Sequence, residues 1–198
     1  MTRRTAFEAR DVGETGLRTA AAMSRPAPPG TLFRAATIDD SVFFAALYAS
    51  TRAEELALSG WPAAMQAAFL AQQAAAQHAH YVQYYGDADW WVLERNGRPI
   101  GRLILAHWPS QHRIVDIALL PEARGRGLGG AILASVIAAA EAGGKPVSIH
   151  VEKANPAMRL YRRLGFATVE DKGVYDLMMR PAAAPGRVDT AGLRPPVS

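Results

Sequence analysis

Along the chain, apolar positions first alternate, then recur at helical spacing, and then alternate again. Thr31 to Thr37 (TLFRAAT) alternates well enough for a first strand. Ile38-Asp39-Asp40 supplies an N-cap before the apolar segment Val42 to Tyr48, so a helix is predicted from about Asp40 to Leu58. Gly60-Trp61-Pro62 breaks it, and Met65, Phe69 and Leu70 mark a second helix over Ala63 to about His80. Trp90 to Glu94 and Pro99 to Trp108 then read as paired strands, because the Asn96-Gly97 between them tolerates the positive φ angles of a tight hairpin turn. Ile114 to Leu120 alternates with period two and is a further strand.

From Pro121 the pattern changes. PEARGRGLGG leads into an apolar segment, Leu128 to Ala142, that reads as a helix stopped by Gly143-Gly144, and Val147 to Glu152 (VSIHVE) is again a strand. A short helix around Pro156 to Leu164 ends at Gly165, and Ala167 to Met179 reads as a hairpin centred near Asp171-Lys172-Gly173. With no internal repeat, the expected organisation is one α+β domain over residues 31–180 with a mixed sheet.

Composition adjusts this picture at the ends. The 198 residues carry 22 Lys+Arg against 18 Asp+Glu, a net charge of +4. Residues 1–30 hold five Arg and three acids and residues 181–198 two Arg and one Asp, which leaves 15 basic against 14 acidic side chains in residues 31–180. Basicity therefore does not point to a polyanion-binding domain. Both ends are rich in Pro and poor in large apolar residues, so a flexible extension (1–30) and a disordered tail (181–198) are expected. Neither a secretory signal nor an apolar run of membrane-spanning length occurs, so a soluble, cytoplasmic protein is expected, without nucleic-acid or membrane partners. The absence of Cys excludes a disulfide framework, thiolate metal sites and a cysteine nucleophile.

Candidate chemistry concentrates at Arg124-Gly125-Arg126-Gly127-Leu128-Gly129-Gly130, between a predicted strand and a predicted helix. The first amides of a helix lack intrahelical acceptors and the helix dipole is positive there, so anions bind. Glycines let several amides converge on phosphate oxygens, and two arginines add charge. GRGLGG also satisfies the dinucleotide fingerprint G-x-G-x-x-G, and Glu152 stands where such folds place a ribose-binding acid. Against a nicotinamide or flavin site stand the intervening PEAR, the roughly 120 residues before the motif and the 46 after Glu152, too few for further βαβ repeats. No Gly-Lys-Ser or Gly-Lys-Thr occurs, which excludes a Walker loop.

A second motif follows at Asn155-Pro156-Ala157-Met158-Arg159-Leu160-Tyr161-Arg162-Arg163-Leu164-Gly165-Phe166. Together the two resemble the GNAT superfamily of N-acetyltransferases: Arg124, Gly127 and Gly129 match its pyrophosphate signature, and the second motif its Asn to Leu-Tyr to Gly-Phe segment. Asn155 stands six residues before Tyr161, where many members have seven. The resemblance implies an α/β/α sandwich around a mixed, mostly antiparallel sheet, and acetyl-CoA as cosubstrate without a metal. It implies a cofactor site at Leu119, Arg124, Gly125, Arg126, Gly127, Leu128, Gly129, Gly130 and Asn155. It also implies an amine acceptor, small molecule or peptide, and a monomer or homodimer. A catalytically idle GNAT-like binding module is the alternative within the same fold.

The chemistry needs a neutral amine, a stabilised oxyanion and a proton for the leaving thiolate. By resemblance, Tyr161 is the general acid and the Leu119 backbone N–H meets the oxyanion. For the base, His150 shares a strand face with Ser148 and Glu152, opposite Val147, Ile149 and Val151. Asp116, Glu54, Glu55 or water remain open for that role. His78 and His80 diverge on a helix and do not read as a metal pair, and His107 and His112 flank a loop with no acidic partner expected nearby. Tyr81, Tyr84, Tyr85, Trp90 and Trp91 read as core and cleft wall, since they lack the interleaved basic residues of a base-stacking surface.

Overall fold

Both periodicities are realised in the computed structural model, which describes residues 30–182. In chain order the elements are β1 (Thr31–Ala35), α1 (Ser41–Ala57), α2 (Ala63–Tyr84), β2 (Asp89–Arg95), β3 (Arg98–His107), β4 (His112–Leu119), α3 (Leu128–Ala142), β5 (Val147–Glu152), α4 (Met158–Arg163), β6 (Ala167–Lys172) and β7 (Tyr175–Arg180). The strands form one sheet in the order β1-β2-β3-β4-β5-β7-β6. Every neighbouring pair is antiparallel except β4 and β5, which are parallel and joined through α3. This is the expected α+β fold with a mixed, mostly antiparallel sheet. A dinucleotide-binding fold repeats its parallel βαβ unit, and one such unit among antiparallel strands does not make one.

The hairpin at Asn96-Gly97 has the expected backbone, with φ of 52° and 72°. At the first helix the expectation needs correcting. Asp40 stands at the N-cap position of α1, but its side chain makes no capping bond to that helix; its carboxylate accepts the Thr37 N–H at 2.7 Å and pairs with Arg34 at 2.7 Å, closing a single 3₁₀ turn, Ile38–Asp40, ahead of the helix. The second helix runs one turn past its expected end at His80, to Tyr84, because no breaker intervenes before Gly86. The extensions expected at 1–30 and 181–198 lie outside the described residues, except for Gly30, Pro181 and Ala182.

The sheet's two faces differ in chemistry. On one, Val147, Ile149 and Val151 of β5 pack with Leu128, Ile132, Leu133 and Val136 of α3 and with Met158, Tyr161 and Phe166 in a continuous apolar core. Removing each such Leu, Ile or Val side chain from water contributes about 1.5–3 kcal/mol. The other face, under α1 and α2, buries Arg102, Arg113 and Ser148.

Candidate active site

β4 and β5 pair only from His112 to Ile114 against Val147 to Ile149, although β4 runs on to Leu119 and β5 to Glu152. On its other side β4 stays paired with β3, with a bulge at Val115 where the partners step from Ile114–Leu105 to Asp116–Ile104. A gap therefore opens between β4 and β5 beyond Ile149. Successive backbone N–H groups of a strand point to opposite edges. The Leu120 amide donates to Ile100 of β3 at 2.9 Å, so the Leu119 amide points into the gap.

The glycine-rich turn closes the wide end of this gap. Gly125 and Gly127 have φ of 73° and 76°, conformations that side chains disfavour, and a Cβ at either would project into open space. The first amide of the α3 region with a backbone acceptor is that of Ala131, donating to Gly127 at 3.0 Å. The Leu128, Gly129 and Gly130 amides precede it at the N-terminus of a 15-residue helix. Arg124 and Arg126 are exposed, and Arg124 Nε donates to the Leu119 carbonyl at 2.9 Å. Leu119 and Leu160 pack beside Gly129 and Gly130. The donors, the open space and the charge fit a pyrophosphate.

Tyr161 sits on α4 with its ring 4% exposed and edge-on to Phe166 at 5.8 Å. Its hydroxyl makes no hydrogen bond among the described residues. Burial, reinforced by the charge of Asp116, pushes its pKa up to about 12, so it remains a proton donor at neutral pH. Asn155 has its side-chain oxygen committed to the Ala157 N–H at 2.8 Å, which shapes the turn into α4.

On the α1/α2 face, Arg102 binds Asp116 at 2.8 Å and Gln77 at 3.0 Å, with its guanidinium carbon 5.0 Å from the Phe44 ring centre. Asp116 is therefore ion-paired rather than free to act as a base. Arg113 donates to Ser148 Oγ at 3.2 Å and to His150 Nδ1. An arginine can only donate, so the neutral ring of His150 carries its proton on Nε2 while that bond lasts, and no lone pair is free. Burial, Arg113 and Lys172 lower the pKa of His150, which keeps it neutral. Glu54 is exposed, and Glu55 is held by Arg52 at 3.1 Å. Arg52 also binds Glu152 at 2.8 Å, and Tyr175 donates to the same carboxylate at 3.3 Å. A cavity of about 260 Å³ lies between α1 and α2, with Phe44, Tyr48, His78 and Arg102 in its wall.

His78 and His80 part as expected, His78 against Trp90 and His80 against Tyr84. The expectation for His107 is corrected. His107 Nε2 meets Asp89 at 2.8 Å, because β2–β3 pairing brings together residues 18 apart in sequence. The ring of His107 also faces His112, Nδ1 to Nδ1, at 2.8 Å. Among the described residues no group of three or more His, Cys, Asp or Glu is placed to hold a metal, and no helix is long and apolar enough to cross a membrane.

Sequence reasoning missed Arg52, Arg102, Arg113 and Tyr175. Arg102 had a signal, a charge inside the apolar run PIGRLILAHW, which marks either a strand edge or a buried partner.

Comparison with known proteins connects this geometry to a family. The model of the acetyltransferase (GNAT) family matches residues 50–166. A mycothiol acetyltransferase from Actinosynnema mirum is 36% identical over 88 residues, covering 41% of this chain and 29% of that protein, so the chain spans under a third of that relative's length. Among solved structures, the PaiA N-acetyltransferase of Thermoplasma acidophilum, crystallised with coenzyme A, superposes with a TM-score of 0.60 at 14% identity, over 76% of this chain and 98% of that one. An acetyltransferase of Thermus thermophilus gives 0.56 at 20% identity, over 76% and 96%.

Proposed function

The chain belongs to the GNAT acetyltransferase family, and we propose that it is an acyltransferase that moves the acetyl group of acetyl-CoA to a primary amine by direct attack in a ternary complex. The observation that carries this reading is the open gap between β4 and β5, which has the amides of Gly125 to Gly130 across one end and the Leu119 amide along one side. In this reading the pyrophosphate lies on those amides with Arg124 and Arg126 beside it. Coenzyme A in the Thermoplasma protein, and the acetyltransferase name of the curated relative, support the choice of cosubstrate.

The amine nitrogen attacks the thioester carbonyl, and the Leu119 amide takes the charge that develops on oxygen. As the C–S bond breaks, Tyr161 delivers a proton to sulfur; burial keeps that phenol protonated wherever an amine is free to attack. Asn155 holds the turn that sets α4, and so Tyr161, against the gap. His150 takes the amine proton at Nδ1 after Arg113 releases it. The acceptor's amine can belong to a small molecule or a peptide.

Isothermal titration tests the reading. Acetyl-CoA should bind the wild-type protein, and Gly127→Trp, which fills the open space of the turn, should lower affinity at least about tenfold while the fold survives by circular dichroism. A folded wild-type protein that binds no acetyl-CoA, or a variant that binds equally well, refutes it.

A further inference from the structure

Among the described residues Arg113 is a buried cation without a counter-ion. The residue is 5% exposed, and all its partners among the described residues are uncharged: the Ser148 hydroxyl, His150 Nδ1 and the Tyr85 phenol. The charged groups around it are committed elsewhere. Asp116 on its own strand belongs to Arg102, and Glu170, which faces His150 from β6, pairs with Lys172. A guanidinium kept from water without an anion is costly, and its planar fork matches a carboxylate.

Its position gives the missing anion a meaning. Arg113 lies one residue before Ile114, where β4–β5 pairing ends, and His150 is the first β5 residue beyond that end. Both lie on the sheet face under α1 and α2, opposite the apolar core that holds Tyr161. His150 is exposed, so the cluster has an opening to solvent at the narrow end of the gap. A carboxylate on that guanidinium would bring an amine a few atoms away towards His150, which bonds the same guanidinium.

We propose that Arg113 binds a carboxylate of the acceptor, which makes the acceptor class an amino acid, a primary amine with a carboxylate a few atoms away. The inference rests on the acetyltransferase reading. Docking of the carboxylate draws the guanidinium off His150 Nδ1, and the freed lone pair accepts the amine proton as the N–C bond forms. The C–S bond breaks and sulfur takes the Tyr161 proton, so the products are the N-acetyl amino acid and coenzyme A thiol. Arrival of the correct acceptor thus creates the base that its reaction needs.

The test is a turnover panel at saturating acetyl-CoA, each L-amino acid measured against its C-terminal amide and its decarboxylated amine. A thiol reagent reports coenzyme A cleanly, because the chain has no cysteine. At least one amino acid should exceed both of its carboxylate-free counterparts by about 10- to 100-fold in kcat/KM, the range a charge-assisted pair supplies. Arg113→Met should erase that preference, and Arg113→Lys should keep part of it, with both variants checked for acetyl-CoA binding. In a folded wild type the matching N-acetyl amino acid should raise Tm, and in Arg113→Met it should not. Preference for the amides or amines, retention of the preference in Arg113→Met, or no turnover of any amino acid by a protein that binds acetyl-CoA overturns the proposal. Failure to bind acetyl-CoA overturns the acetyltransferase reading beneath it.

Discussion

Arg102 and Arg113 stand on neighbouring strands, face the same side of the sheet, and are 3% and 5% exposed. Arg102 has its carboxylate, an amide oxygen and two aromatic rings around it. Arg113 has a hydroxyl, a phenol and one imidazole nitrogen. The first is a finished structural element: Asp116 is neutralised, and β3 is fastened to β4 beside the bulge. The second lacks the anion that would complete it. A buried charge without an opposite partner is costly, and a ligand that supplies the partner accounts for its being there.

The largest expected effect separates the two in stability. Arg102→Met strands the Asp116 carboxylate and should cost about 3 to 5 kcal/mol in urea denaturation. Arg113→Met removes a charge that has no opposite number and should change stability by less than about 1 kcal/mol, or raise it. Equal losses in the two variants would break the comparison.

Tyr161 tests the same idea on the apolar face. Its hydroxyl has no hydrogen-bond partner among the described residues, so Tyr161→Phe should leave stability within about 0.5 kcal/mol of wild type. The same variant should lower kcat by about one to three decades, with KM for acetyl-CoA little changed. A large loss of stability with unchanged kcat would make Tyr161 a packing residue.

The two faces were not equally legible in the sequence. Hydrophobic periodicity marks α3 and β5 directly, and positive φ at Gly125 and Gly127 explains why glycines there could be read as a cradle. The polar face is assembled by register instead. Arg102 meets Asp116 across a hairpin whose bulge at Val115 shifts every later pairing by one residue, and that bulge leaves no mark in residue type. His107 finds Asp89 through the β2–β3 ladder, and Arg52 reaches Glu152 from 100 residues away. Motifs name Tyr161 and the glycines as candidates from residue type alone, whereas pairings that depend on a one-residue offset leave no such signal. His150 was found on the correct face by alternation, but Arg113, which determines its tautomer, was invisible until the strands were aligned.

The smallest effect belongs to a neutral version of the same contrast. His107 has Asp89, whereas among the described residues the half-buried His112 ring has only that of His107 as a hydrogen-bond partner, with Lys145 nearby. Burial first, and then the positive surroundings, bring the pKa of His112 down to about 4 from an ordinary 6.5. The folded protein therefore resists a proton that the unfolded chain accepts. This contribution is complete above pH 6.5 and drains away as the pH falls towards 4. Solvent at a half-exposed site reduces it to about 1–2 kcal/mol. His112→Gln should accordingly be less stable than wild type at pH 7 by less than it gains back by pH 4, so that denaturation curves measured across that range converge or cross as the pH falls. Parallel stability profiles would show that His112 is as easily charged in the fold as outside it, and that a ring without a carboxylate partner carries none of the penalty assigned to the neighbouring guanidinium of Arg113.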